Sequence, residues 1–142
     1  SSITASLGIS QIQKLDKIIK LRRRNAQDLI KSFSKIPEIK VVNSLNSQEN
    51  IFQLFSILLP SKTIRNALQK YLITKKIFSK VYFEPIHLTK FYKVKYKIKK
   101  GSLPVTEKIS DRILTLPMYP NMTKGEKIYL IQSVSEFFES KH

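Results

Sequence analysis

The residues best suited to chemistry are concentrated in one short stretch, residues 81–92, whose sequence is VYFEPIHLTKFY. It holds His87, one of two histidines in the chain, together with Tyr82, Glu84 and Lys90. Imidazole, phenol, carboxylate and ammonium groups can exchange protons or form hydrogen bonds with a polar ligand. Because such groups are densest here, this stretch is the first candidate for a functional site.

Several common kinds of catalytic site are excluded by what the sequence lacks. The chain has no cysteine, which excludes thiolate catalysis and cysteine-ligated zinc. Its three glycines, Gly8, Gly101 and Gly125, form no phosphate-binding loop, and its two histidines do not have metal-ligand spacing. Glu84 is the only carboxylate in the candidate stretch, so paired-carboxylate catalysis has no second member there. The residues alone therefore define a basic α/β domain with a polar cluster.

The net charge of +16 arises from 26 basic and 10 acidic residues. A field of this sign attracts polyanions such as nucleic acid or nucleotide phosphates. However, 21 of the basic residues are lysines, a bias that an AT-rich genome can also produce, and arginine, which suits bidentate phosphate contacts, is scarce. The run of arginines at residues 22–24 is either a solvated helix face or a phosphate site.

The length and hydropathy of the chain limit the number of domains and the possible membrane spans. Its 142 residues are enough for one domain with its own core. No apolar run approaches the roughly 20 residues of a membrane span, and the N-terminal residues lack a secretory signal pattern. The first residue is not methionine, which is compatible with a fragment. We expect a single cytoplasmic domain that does not enter a membrane.

The spacing of apolar residues along the chain predicts the helices and strands that must position the polar cluster. Residues 1–33 are predicted to form one long helix, because apolar side chains recur at helical spacing without an intervening proline. Residues 39–42 are predicted to form a short strand. Residues 51–59 are nearly all apolar, as in a central strand covered on both faces. Residues 63–73 have an amphipathic helical pattern that Ser61 can cap.

The second half of the chain gives further predictions. Residues 43–50 are a polar loop, and residues 81–83 form a strand that leads into the candidate site. Residues 93–100 alternate between lysine and mostly apolar side chains, which favours either an exposed edge strand protected by lysines or a basic flap beside His87. Gly101 and Ser102 form a hinge.

Two further helices are expected after this hinge. Pro104 can begin a helix, with Val105, Ile109 and Ile113 on its buried face. A last helix starts at Thr123, with Glu126 completing a capping box. The fold class is therefore α/β (α+β): a small mixed or antiparallel sheet flanked by helices, with a long N-terminal helix.

Four stretches, in order and covering essentially all 142 residues, together resemble one protein family. They are LGISQIQKLDKIIKLRRRNA (residues 7–26), IFQLFSILLP (51–60) followed by Arg65 and Leu68, the VYFEPIHLTKFY stretch, and LPVTEKISDRILTLPMYPNMT (103–123). They are similar to the C-terminal part of the DegT/DnrJ/EryC1/StrS aminotransferases. The segment ending in His-Leu and the Leu-Pro-Met turn, at this separation, make the resemblance specific.

The resemblance implies a function for the parent protein rather than for this chain alone. Members use pyridoxal phosphate (PLP) to transfer an amino group, usually from glutamate, to a keto sugar carried on a nucleotide diphosphate, for polysaccharide biosynthesis. The lysine and the groups that hold the cofactor belong to a larger N-terminal domain, which is absent from this sequence. Residues 1–142 are thus expected to be the small C-terminal domain of a homodimeric enzyme. This domain would form part of the substrate cleft and be inactive by itself.

Within that cleft, the resemblance makes His87 the first candidate for contact with the substrate, through a sugar hydroxyl or a phosphate oxygen. The alternative is a packing histidine that supports the turn at Pro85 by a hydrogen bond to the backbone. Tyr82 and Lys90 are weaker candidates, since Tyr82 could pack on the sheet and Lys90 could face water. No cofactor-binding or metal-binding residue is assigned to this chain.

Two other functions remain open from the sequence. One is a stand-alone basic module that binds nucleic acid through residues 90–100 and the arginines at 22–24, which would give weak, salt-dependent affinity for any DNA or RNA. The other is a remnant that docks a separately encoded cofactor domain.

Overall fold

The computed structural model describes residues 2–42 and 50–140, which form six helices, three strands and one 3₁₀ turn. The predicted loop at 43–50 lies almost wholly outside the described residues. In chain order the elements are α1 (Ser2–Ile12), α2 (Leu15–Phe33), β1 (Lys40–Val41), β2 (Phe55–Leu58), α3 (Lys62–Thr74), the 3₁₀ turn (Ile86–Leu88), α4 (Lys90–Tyr96), α5 (Pro104–Arg112), β3 (Ile113–Leu116) and α6 (Lys124–Glu139).

The N-terminal segment is helical as predicted, but it is interrupted at Gln13 and Lys14. There the Lys14 amide donates to the Gln11 carbonyl at 3.1 Å, a three-residue spacing that tightens the turn between α1 and α2. Helix α1 buries none of its side chains, whereas α2 buries four, including Leu29 and Phe33. The domain core therefore begins with α2, and no proline or glycine marks the break.

The sheet is antiparallel throughout, in the order β1-β2-β3, which decides between the mixed and antiparallel alternatives. β2 is the central strand, as expected, but it spans only four residues because the chain before Phe55 is irregular. The Arg22 guanidinium donates to the carbonyl oxygens of Phe52 and Gln53 at 3.0 and 3.2 Å. These bonds satisfy backbone groups that a longer strand would have paired within the sheet.

One hydrophobic core holds the domain together. Helices α2, α3 and α6 pack with the sheet around side chains that are almost completely buried. The largest of them include Phe33, Ile57, Leu72 and Leu114, and Phe33 and Phe55 pack with ring centroids 6.1 Å apart. The amide nitrogen of the buried Asn25 donates to the carbonyls of Tyr119 and Pro120, which ties α2 to the turn before α6.

Three helix starts are confirmed as the sequence predicts. The Ser61 hydroxyl accepts the Ile64 amide at α3, and Pro104 is the first residue of α5. Thr123 and Glu126 form a reciprocal capping box at α6. In contrast, Val105 and Ile109 are exposed rather than buried, because α5 presents its charged side to α3 and the 3₁₀ turn.

The region around the candidate stretch differs most from the sequence predictions. Residues 81–83 are not a strand, because sheet-like pairing stops at Lys80, which exchanges hydrogen bonds with Thr115. The alternating segment is also not extended: its first part belongs to α4. Tyr92 and Tyr96 stack at helical spacing, with centroids 5.8 Å apart. The alternation of lysines over residues 93–100 was compatible with a helix as well as a strand. The edge-strand prediction is therefore wrong.

Two simple features complete the fold. Gly101, where the sequence predicts a hinge, has φ +93°, a conformation that favours glycine, and it lies in a turn before α5. None of the helices in the described part of the chain is long and apolar enough to cross a membrane.

Candidate functional site

A polar cleft of about 570 Å³ lies between α3, α5 and the segment 81–88. Helix α3 contributes Lys62, Arg65, Asn66 and Gln69, which share one face because their spacing is that of adjacent helical turns. The opposite sides of the cleft are formed by Val81, Glu84, Pro85, Leu88, Lys93, Lys100, Glu107, Ser110 and Asp111. The cleft thus gathers charged groups of both signs from four separate parts of the chain.

Arg65 is the most buried charged residue of this cleft, with 6% of its surface exposed. It lies in the first turn of α3, on the same side as the core residues Leu68 and Leu72. Its Nε atom is buried and has no hydrogen-bond partner among the described residues. In the sequence, Arg65 is singled out only through the resemblance, but its spacing of three and seven residues from Leu68 and Leu72 places it beside the apolar face of the helix.

Lys62 and Asp111 form an ion pair across the cleft, with Nζ 2.7 Å from Oδ1. The hydrogen bond from Lys62 lowers the pKa of the Asp111 carboxyl, and the positive charges of Lys100 and Arg65 lower it further. Asp111 is therefore ionised at neutral pH and its charge is balanced by Lys62. The pair also joins α3 to α5, on either side of the cleft.

On the α5 side of the cleft, Glu107 is the centre of a group of hydrogen bonds. Its Oε1 lies 3.0 Å from His87 Nε2, and its carboxylate accepts the backbone amides of Gly101, at 2.8 Å, and Leu103, at 3.4 Å. The hydrogen bond from His87 lowers the pKa of the Glu107 carboxyl, and the two backbone amides lower it further. This arrangement fixes the 3₁₀ turn, the turn at Gly101 and the start of α5 relative to one another.

His87 is 8% exposed and sits directly behind Glu107. Glu107 lines the cleft, whereas the imidazole lies in the 3₁₀ turn. The packing alternative expected a bond from His87 to the backbone, but the partner is a carboxylate from another helix. In this conformation His87 acts on the cleft through Glu107.

Tyr82 and Lys90 lie in different places from His87. Tyr82 lines a separate cavity of about 220 Å³ on the other side of Val81, together with Lys80, Thr115 and residues of the β2 and β3 ends. Lys90 is on the exposed face of α4, next to Phe91. The structure therefore does not bring the three predicted residues into one cavity. Instead it groups Arg65, Lys62 and Asp111 with Glu107, a combination that the sequence analysis missed.

Lys75 does not suit PLP as a covalently held cofactor. A lysine that forms a Schiff base needs a lowered pKa, but the hydrogen bond to Glu136 raises the pKa of Lys75. Within the described ranges, no group of three or more potential ligands could hold a metal ion.

Residues 1–135 match the profile of the DegT/DnrJ/EryC1/StrS aminotransferase family, and this chain belongs to that family. The resemblance inferred from the quoted motifs is thereby confirmed. Over 141 residues the chain is 26% identical to GDP-perosamine synthase of Escherichia coli O157:H7, covering 99% of this chain and 37% of that protein.

Solved structures of sugar aminotransferases have the same fold. PseC of Helicobacter pylori, an aminotransferase involved in pseudoaminic acid biosynthesis, matches with a TM-score of 0.88 and 22% identity, over 97% of this chain and 37% of PseC. A Streptococcus pneumoniae sugar aminotransferase in its PLP form matches with a TM-score of 0.89 and 21% identity, over 99% of this chain and 36% of that one. The fold-class prediction is thus confirmed.

The chain spans about a third of the length of the relatives and structures that it matches. These matches give no support to the nucleic-acid alternative. Two of the three arginines proposed for it, Arg22 and Arg23, donate to backbone carbonyls within the domain.

Proposed function

We propose that this chain is the small C-terminal domain of a PLP-dependent aminotransferase that acts on a keto sugar linked to a nucleotide diphosphate. The observation that carries this proposal is the family match over residues 1–135. The similarity to GDP-perosamine synthase supports a nucleotide-sugar substrate. Glutamate is the proposed amino donor, and the protein is proposed to work as a cytoplasmic homodimer.

In this proposal the cofactor belongs to a larger N-terminal domain, where PLP would supply the electron sink for amino-group transfer. The present chain contributes one side of the substrate cleft and no catalytic residue. Its positive charge attracts the nucleotide diphosphate over a distance, and the polar cleft next to α3 and α5 provides donors at close range.

His87, Tyr82 and Lys90 remain the proposed substrate-binding residues. His87 would act by holding Glu107, and with it the turn at Gly101, in the geometry that the bound sugar requires. Tyr82 would donate from the neighbouring cavity, and Lys90 would approach the substrate from α4 once the two domains close.

The test is to assay the protein that includes the upstream reading frame. With PLP, glutamate and a nucleotide-linked keto sugar, we expect 2-oxoglutarate to form. We expect Tyr82→Phe to raise KM for the sugar nucleotide by about 3- to 10-fold, as for the loss of one hydrogen bond. Tyr96→Phe is the matched control, since Tyr96 lies on the exposed side of α4.

Two results would contradict the proposal. One is an upstream reading frame without a cofactor-binding domain. The other is a site-specific PLP absorbance band from residues 1–142 alone, because it would place the reactive amine in this chain.

A further inference from the structure

Helix α4 and the residues after it form a basic and aromatic segment that the domain leaves uncovered. Residues 90–100 contain six lysines and no acidic residue, and the other five residues are aromatic, valine or isoleucine. No side chain of α4 is buried, and Phe91 and Val94 are 61% and 73% exposed. Lys90 and Lys95 line one surface depression together with Phe91 and Val94. These four residues are called the α4 surface below.

The contacts of α4 within the domain are few for so short a helix. A helix of seven residues is not stable in water by itself and needs packing against another surface. In the described part of the chain, α4 packs mainly on the 3₁₀ turn and stays outside the hydrophobic core. Lys95 Nζ lies 5.3 Å from the ring centroid of Phe91 and 5.5 Å from that of Tyr96. Exposed apolar side chains grouped in this way commonly mark an interaction surface.

The charge of this segment indicates what kind of surface can cover it. None of the three lysines of α4, at positions 90, 93 and 95, takes part in the ion pairs of the described residues. A second copy of this chain is unsuitable, because it would place six lysines opposite six lysines in a protein of net charge +16. The complementary surface is therefore anionic, and it must also accept the apolar side chains of Phe91 and Val94.

We propose that the α4 surface binds the anionic headgroup region of a lipid bilayer. Interfacial helices place apolar side chains at the acyl boundary and lysines among the headgroups. Phe91 and Val94 form the apolar part here, while the stems of Lys90 and Lys95 can lie along it and carry their ammonium groups to the headgroup phosphates. The contact is peripheral, since no helix in the described ranges is long and apolar enough to cross a membrane.

Two other anionic partners fit the α4 surface less well. A single-stranded nucleic acid stacks its bases on aromatic rings, but the Lys95 ammonium lies over the rings of Phe91 and Tyr96. Residues 90–100 also contain no arginine. An acidic polypeptide would pair with the lysines and leave Phe91 and Val94 without an apolar environment.

Co-sedimentation with lipid vesicles tests this inference on the protein expressed from its complete reading frame. Phosphatidylcholine vesicles with about 30% phosphatidylserine provide the anionic surface, and pure phosphatidylcholine vesicles are the neutral control. We expect binding to the anionic vesicles and little binding to the neutral ones. The binding should weaken as the salt concentration rises from about 0.1 M to about 0.5 M, because salt screens the lysines.

The variants separate the apolar contribution from the charge. Phe91→Ser combined with Val94→Ser should weaken vesicle binding by at least about 10-fold, with an unchanged Tm because both side chains are exposed. Lys95→Gln should weaken it by about 5-fold, as for one lysine near an anionic surface, and Lys95→Arg should bind like the wild type. Lys70→Gln removes the same charge from an exposed position on α3 and is the matched control.

Several results would overturn this inference. They are a lack of binding to anionic vesicles, equal binding to neutral ones, and unchanged binding by the variant with serine at positions 91 and 94. Equal weakening by Lys70→Gln and Lys95→Gln would show that only the net charge matters. Tighter binding of single-stranded RNA or polyglutamate than of vesicles would assign the surface to another partner.

The inference does not rest on the proposed function, because Phe91 and Val94 have no part in it. Amino-group transfer measured without vesicles tests the proposed function separately. An active enzyme that does not bind anionic vesicles would refute only the role of the α4 surface.

Discussion

Glu107 illustrates how one side chain joins three parts of the cleft. It receives hydrogen bonds from His87 in the 3₁₀ turn and from two amides in the turn before α5. His87 holds the pKa of Glu107 below its ordinary value of 4.5. A group whose pKa is lower in the folded state stabilises the fold above its unfolded pKa, and that contribution disappears as the pH falls through the folded pKa.

The pH dependence gives a prediction at this scale. We expect Glu107→Gln to be less stable than wild type at neutral pH, with the difference shrinking below the ordinary carboxyl pKa of 4.5. The measurement is urea unfolding between about pH 3 and pH 7. Glu139→Gln, at an exposed position near the end of α6, is the control. A stability difference that stays constant over this range would show that the ionised carboxylate is not what stabilises the turn.

At the scale of elements, the helix starts are where local sequence and structure agree best. At α6 the Thr123 hydroxyl accepts the Glu126 amide, while the Glu126 carboxylate accepts the Thr123 amide at 2.7 Å. A hydrogen bond from the Tyr119 hydroxyl lowers the pKa of Glu126, which keeps the capping carboxylate ionised. Two backbone donors that the helix cannot satisfy itself are thereby satisfied.

Loss of this cap should be measurable. We expect Thr123→Ala to lower the free energy of unfolding by about 1 kcal/mol, as is usual for an N-cap side chain. Thr106→Ala, on the exposed side of α5, should change it by less than about 0.5 kcal/mol. Equal effects of the two substitutions, measured by urea unfolding, would contradict the role assigned to the capping box.

At the scale of the whole molecule, a single core links the sheet to α2, α3 and α6. Leu114 lies in β3 opposite Ile57 of the central strand, and it has no exposed surface. Removing most of the Leu114 side chain would leave a cavity. That cavity would weaken the packing of the neighbouring strand and of the helices. The domain should therefore respond to it as one cooperative unit.

We expect Leu114→Ala to lower the free energy of unfolding by about 2–5 kcal/mol, the usual range for a buried leucine. Circular dichroism and tyrosine fluorescence should report the same midpoint for the variant, because all elements share the core. Leu103→Ala is the control, since Leu103 is 49% exposed. Separate midpoints by the two probes would indicate that the helices and the sheet do not form one unit.

The sequence by itself determined the elements whose signals are local. The caps at Ser61 and Thr123 and the start at Pro104 depend on residues within one helical turn, so they were predictable from spacing. The family was also recognisable, because its motifs stand in order along the whole chain.

Only the tertiary structure decided which charged groups share a cleft. Lys62 and Arg65 lie on α3, Glu107 and Asp111 lie on α5, and His87 contacts Glu107 from the 3₁₀ turn. Which of these groups meet depends on how the three elements pack. The alternation of residues 93–100 was likewise ambiguous, because a short period of two occurs in helices as well as strands. Packing brings together residues that are far apart in the chain, whereas a periodic pattern in the sequence depends only on residues within a few positions of one another. For this reason the burial of Arg65 beside the Lys62–Asp111 pair was visible only in the tertiary structure.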